Sequence, residues 1–229
     1  DITDPELLRV IISNCNYKEF NYIKKPDLSG VCFDGIDVRC FDFTGCKGVK
    51  INPQTVGCKS LYGTKLSGVE IIGSFNGVDV EGTDFTGCKG AKIDPQTVGC
   101  EDDLCCDIFC YKRLYGTKLS GVEIIGSFDG VGVRGTDFTG SKGAKIDPQK
   151  VWQRSLEGTK LSGVEIIGSF DGVDVQGTNF RGSKGAKINP QTVKGKSLIG
   201  TKLSGVEIIG SLDGVDVRST NFTGSKGAK

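Results

Sequence analysis

Ten cysteines are the side chains of this 229-residue chain best suited to chemistry, and all lie at or before Cys110. Cys100, Cys105, Cys106 and Cys110 fall within eleven residues, enough thiolates to hold a Zn²⁺ ion. Their C-x4-C-C-x3-C spacing matches no common zinc ribbon or finger. The segment is therefore expected to be a reduced surface loop rather than a metal site or a local disulfide, and no cofactor is assigned. Cys46 and Cys88 share one repeated position, and Cys58 and Cys100 another. Later copies carry Ser141, Ser183 and Ser225 at the first position, which marks these thiols as ordinary small residues. Unpaired cysteine in this number favours a reducing, cytoplasmic compartment.

Other chemistry finds little support. His is absent, which removes the commonest general base and the commonest transition-metal ligand. The 28 Asp and Glu are dispersed, each near a Lys, so no carboxylate pair stands apart as acid and base. "GVGVRG" at 130–135 looks like a phosphate-binding glycine loop, but it is the pentad "VDVQG" of 173–177 with Gly in place of Asp. Asn221-Phe-Thr is a glycosylation triplet without a secretory signal. A net charge of +1 argues against wrapping nucleic acid. No apolar run reaches the roughly 18 residues of a membrane span. The expectation is a protein that is not an enzyme and binds neither nucleic acid nor membrane.

A repeat positions all of these residues. "GTKLSGVEII" occurs at 63–72, 116–125, 158–167 and 200–209, with its leucine at Leu66, Leu119, Leu161 and Leu203. The spacings are 53, 42 and 42, the first being a 42 with 11 residues inserted between Val98 and Leu114. A fixed period of this length signals a solenoid. Within each unit the apolar centres recur every five residues, as in Leu156, Leu161 and Ile166, then Phe170, Val175 and Phe180. Period five fits neither a helix nor a flat strand, and it demands a short extended piece and a turn in each pentad. Gly closes most pentads, where turns need positive φ.

"TKLSG", "VEIIG", "VDVQG" and "TNFRG" resemble the pentapeptide-repeat family over about residues 21–229. The resemblance implies an all-β fold, a right-handed quadrilateral β-helix with four pentads to a coil. It departs from the family in the shortened "SFDG" pentads, the three-residue "SKG" bulges and the insert near 99–112. Two coils then account for each 42-residue unit, giving about nine coils and a rod on the order of 45 Å long. One column of centres should read Phe138, Leu161, Phe180, Leu203, Phe222 and another Phe128, Val151, Phe170, Val193, Leu212, so that large faces small across the interior. The residues before the centres should stack as Lys118, Asp137, Lys160, Asn179 in one ladder and Glu123, Lys145, Glu165, Lys187, Glu207, Lys229 in the next. Residues 1–20 form a separate unit, a short helix over 4–14 capping the first coil, with Thr3 or Asp4 as its N-cap and Pro5 in its first turn. The chain stops at "SKGAK", short of the expected "INPQTV", and is expected to be a fragment of a larger polypeptide.

The outward apolar residues are the best functional lead. Ile72, Ile125, Ile167 and Ile209 alternate with Asp94, Asp147 and Asn189 on one face, with Trp152 on the neighbouring face. They would serve a protein partner, as exposed apolar stripes often do. The blander expectation, and the favoured one, is that the "SKG" bulges fold over them. The functional expectation is a non-catalytic structural or protein-interaction solenoid, with partner and oligomeric state left open. The resemblance implies two alternatives. One is a DNA-mimicking modulator of type II topoisomerase, which the alternating Lys and Glu columns contradict. The other is the N-terminal solenoid of a bacterial secreted effector with a downstream catalytic domain.

Overall fold

A computed structural model describes residues 4–99 and 112–227. The Cys100–Cys110 cluster, Thr3 and Lys229 lie outside the described residues. The structure is strand-rich with few helices, and the helices all lie at the N-terminus or in single turns.

Helix α1 (Pro5–Ser13) begins as its sequence dictates. Asp4 accepts the Glu6 N–H, Pro5 needs no partner for its nitrogen, and Glu6 faces the positive end of the helix dipole. It buries Leu8 and Ile12 against the first layer, and Arg9 donates to the carbonyls of Cys32 and Asp34 there. A second helix, α2 (Tyr17–Tyr22), was not expected. Its signal is a capping box: Asn16 accepts from Lys18 and Glu19 N–H while Glu19 reaches back to Asn16 N–H. Phe20 of α2 stacks on Phe41 at 4.3 Å and meets Phe43 edge-on at 5.1 Å. The cap is thus two helices plugged by a cluster of rings.

From Asp27 onward each segment pairs in parallel with a segment about one unit of four pentads further on. We call each such level a layer. Among the described residues eight two-residue strands result: β1 (Lys50–Ile51), β2 (Glu70–Ile71), β3 (Lys92–Ile93), β4 (Glu123–Ile124), β5 (Lys145–Ile146), β6 (Glu165–Ile166), β7 (Lys187–Ile188) and β8 (Glu207–Ile208). They pair as β1–β2, β3–β4, β5–β6 and β7–β8, always Lys to Glu and Ile to Ile. The ladder does not run on as one sheet because the bulge intervenes every second layer. Glu123 takes Lys142 of the bulge as its next partner, while Lys145 pairs forward with Glu165. The expected Glu123–Lys145 step is therefore split into two, one Lys for each neighbouring Glu. The other expected ladder appears as written: Lys118, Asp137, Lys160, Asn179, Lys202 and Asn221 are successive parallel bridge partners.

The core is continuous, from Leu8 to Ile208. Beyond the ring cluster at the cap, its phenylalanines meet in pairs. Phe75–Phe85, Phe128–Phe138 and Phe170–Phe180 meet edge-to-face at 5.3–5.4 Å. Ten residues separate the members of a pair, so they come from two positions of the pentad frame and touch across the interior; facing Leu and Val fill the rest. Buried threonines hydrogen-bond along the stack. Thr117, Thr136 and Thr159 donate their hydroxyls to the carbonyls of Val80, Leu114 and Val133 at 2.6–2.9 Å. Burial of a hydroxyl is tolerated because each finds such an acceptor.

Candidate functional site

Four isoleucines emerge as the distinctive surface feature. Ile72, Ile125, Ile167 and Ile209 are 56, 59, 57 and 47 % exposed, whereas the preceding Ile71, Ile124, Ile166 and Ile208 are buried. Adjacent residues of an extended segment point to opposite sides, and the strand registry decides which isoleucine of each pair turns inward. The favoured expectation, that the bulges cover these side chains, is overturned. Each bulge glycine lies so close to the layer before it that a Cβ on Gly90, Gly143, Gly185 or Gly227 would come within 2.6–2.9 Å of a carbonyl oxygen of Ile71, Ile124, Ile166 or Ile208. The bulge is pressed onto the backbone ladder instead of arching over the isoleucines.

Between the isoleucines lie Asn52, Asp94, Asp147 and Asn189, half-buried. Each turns its Oδ1 back to accept a backbone N–H two residues on, from Gln54, Gln96, Gln149 and Gln191. Those oxygens lie over Gly73, Gly126, Gly168 and Gly210, where a Cβ would be 2.1–2.9 Å away. The face therefore alternates an isoleucine knob with a shallow Asx–Gly notch. Beside each knob runs a closed ion pair: Lys50–Glu70, Lys92–Glu123, Lys145–Glu165 and Lys187–Glu207, at 3.0–3.1 Å. Trp152 sits elsewhere in its layer, opening the single turn Trp152–Arg154 after Val151, with its backbone N–H donated to Val131. The structure thus brings the four isoleucines into one column and leaves Trp152 at a separate corner.

The sequence reading missed the glutamines. Gln54, Gln96 and Gln191 each clamp two carbonyls of the following "SFNG", "SFDG" or "SLDG" segment, as Gln96 does with Ser127 and Asp129 at 3.1 and 2.7 Å. Gln149 reaches Asp171 alone, at 3.3 Å. Their signal was the invariant Pro-Gln step inside the repeat. Each clamp anchors the loop after an exposed isoleucine.

Reactive chemistry is weakly provided for. Burial pushes the Cys46 thiol up and the Cys88 thiol to about 11, so both stay protonated at neutral pH and are poor nucleophiles and metal ligands. Among the described residues no three His, Cys, Asp or Glu side chains group as a metal site would require. At Asp42 burial pushes the carboxyl up, but hydrogen bonds from Thr44 and Lys65 outweigh it and bring it down to about 2. Asp84 and Asp137 are lowered in the same way, through Lys118 and Thr86 and through Lys160 and Thr139. Glu81 goes the other way, raised by burial and then by the charge of Asp79. No helix among the described residues is long and apolar enough to cross a membrane.

No family model and no curated protein matches this chain. Among solved structures it is similar to HetL, a pentapeptide-repeat protein involved in regulating heterocyst differentiation in the cyanobacterium Nostoc. The identity is 12 %, the match covers 100 % of this chain and 97 % of HetL, and the TM-score is 0.21. A likeness of that size carries no weight for fold or function.

Proposed function

We propose that this chain is a non-catalytic protein-interaction rod of the pentapeptide-repeat kind. Its layers wind as a right-handed, four-sided β-helix after α2, and α1 with α2 cap the first coil, a boundary two residues beyond the expected 20. Parallel pairing of every layer with the next supports the winding, since such a stack buries one continuous core and leaves its sides as surface. The observation that carries the functional reading is the exposure of Ile72, Ile125, Ile167 and Ile209 on one face beside buried isoleucine neighbours. Leaving four β-branched apolar side chains in water gains nothing for the fold, and aligned exposure of this kind marks contact surfaces. The charged side chains do not compete for the role. Asp137, for example, caps its own turn by accepting the Thr139 N–H and closes an ion pair with Lys160 of the next layer.

The double substitution Ile125→Ser, Ile167→Ser tests the reading by thermal melting. An interface face predicts a melting temperature close to that of the parent, because surface changes lie within about 0.5 kcal/mol. A drop of the size seen for a buried isoleucine, about 2–5 kcal/mol, would make the stripe part of the core and end the proposal.

A further inference from the structure

We propose that the isoleucine face docks an acidic amphipathic helix of another protein. The proposal rests on the reading of that face as an interface and adds its occupant. The lysines beside the knobs select it. Along the ladder Glu123 pairs with Lys92 on one side and Lys142 on the other, and Glu165 with Lys145 and Lys184. Each Glu thus brings one negative charge to two positive ones. Glu123 and Glu165 close on Lys92 and Lys145, at 3.0 and 3.1 Å. The bulge lysines Lys89, Lys142, Lys184 and Lys226 are exposed, and none of them closes an ion pair among the described residues. They form a column of uncompensated ammonium groups, one in every second layer.

The isoleucines keep the same period in the intervening layers. Ile125 projects from the layer of Glu123, Lys142 from the next, Ile167 from that of Glu165 and Lys184 from the one beyond. Stacked strands lie about 4.8 Å apart, so the knobs recur at about 9.6 Å, with a free lysine halfway between and to one side. A helix laid along the stack meets both spacings. Seven residues advance it by about 10.5 Å, and residues i and i+3 stand about 4.5 Å apart along its axis on neighbouring lines of one face. A strand meets neither, since its like-facing residues recur at about 6.6–6.8 Å. A uniformly anionic surface, a phosphate backbone or a layer of lipid headgroups, would confront the glutamates of the ladder as well as the free lysines. It would also confront Asp94 and Asp147 in the notches. A helix with an apolar residue every seventh position can set its carboxylates over the free lysines alone.

The probe is a fluorescein-labelled peptide of four heptads, with Leu at the first position of each, Glu at the fourth and fifth, and Ala and Gln elsewhere. Fluorescence anisotropy at low salt should show it binding the full chain with a Kd of about 1–100 µM. Lys142→Gln with Lys184→Gln should loosen binding about tenfold or more, and so should Ile125→Ser with Ile167→Ser. Lys118→Gln with Lys160→Gln removes the same charge from the other ladder and should change it by about twofold or less. Equal loosening by the two lysine pairs would reduce the attraction to net charge and overturn the proposal. Equal binding of the same peptide with Gln for every Glu, or no binding up to about 500 µM, overturns it as well. Vesicles of phosphatidylcholine and phosphatidylserine that bind the chain when the peptide does not would give the face to a membrane instead. If the peptide fails while the Ile125→Ser, Ile167→Ser variant melts like the parent, only the acidic helix falls and the interface reading stands. If that variant melts early, the interface reading itself falls.

Discussion

Gly143 offers a sharp test of why the isoleucine face stays open. It sits in the bulge at φ +77°, and an added Cβ would lie 2.7 Å from the Ile124 carbonyl oxygen, where ordinary contact begins at 3.4 Å. Gly130 has nearly the same φ, +73°, and nothing within 4 Å of its Cβ position. Gly130→Ala thus carries the left-handed backbone cost alone, about 1–2 kcal/mol. Gly143→Ala adds the displacement of a ladder held by Lys142 N–H to Val122 and Ile124 N–H to Lys142, both 2.9 Å. Weakening one or two such bonds costs a further 1–2 kcal/mol, roughly. For a chain of this size 1 kcal/mol moves the melting temperature by about 2–4 °C, so Gly143→Ala should melt about 2–8 °C below Gly130→Ala. Circular dichroism melts of the two variants at equal concentration decide it. Equal melting temperatures would show that the bulge lifts freely from the strand below, and the explanation for the uncovered isoleucines would fail.

Three further outcomes follow from the same contacts. Thr136→Val, which keeps the shape but loses the 2.6 Å bond to the Leu114 carbonyl, should destabilise by about 1 kcal/mol in urea unfolding; no change would mean the buried hydroxyl is unimportant. Asp42, Asp84 and Asp137 have carboxyls held below their ordinary value of 3.8, Asp42 at about 2, so their contribution is complete above pH 4, roughly, and is lost as pH falls through the lowered values. Each is partly exposed and screened, so the loss is about 1 kcal/mol or less per group, and urea midpoints between pH 5 and pH 2 would read it. Alkylation of the native protein by iodoacetamide should modify exposed Cys32 and Cys58 well before Cys46 and Cys88, whose thiols burial keeps protonated; mass spectrometry showing equal rates would contradict that burial.

The sequence by itself determined the pentad frame, the inward centres and the ladder from Lys118 to Asn221. A side chain that recurs every five residues has one environment, and repetition averages away the ambiguity of any single segment. It also determined α1, because Asp4, Pro5 and Glu6 are local signals that act within one turn. It did not reveal α2, whose capping box at Asn16 and Glu19 is equally local, because the expected cap held a single helix over 4–14 and the repeat was expected from about residue 21. Tertiary structure alone decided which Lys each Glu meets, since a three-residue bulge supplies two candidates and only the closeness of Gly143 to the Ile124 carbonyl sends Lys142 back and Lys145 forward. The same closeness settled the fate of Ile125 and Ile167. Whether an outward side chain is covered depends on the path of backbone from another layer, and that path is fixed by non-local hydrogen bonds no five-residue pattern records.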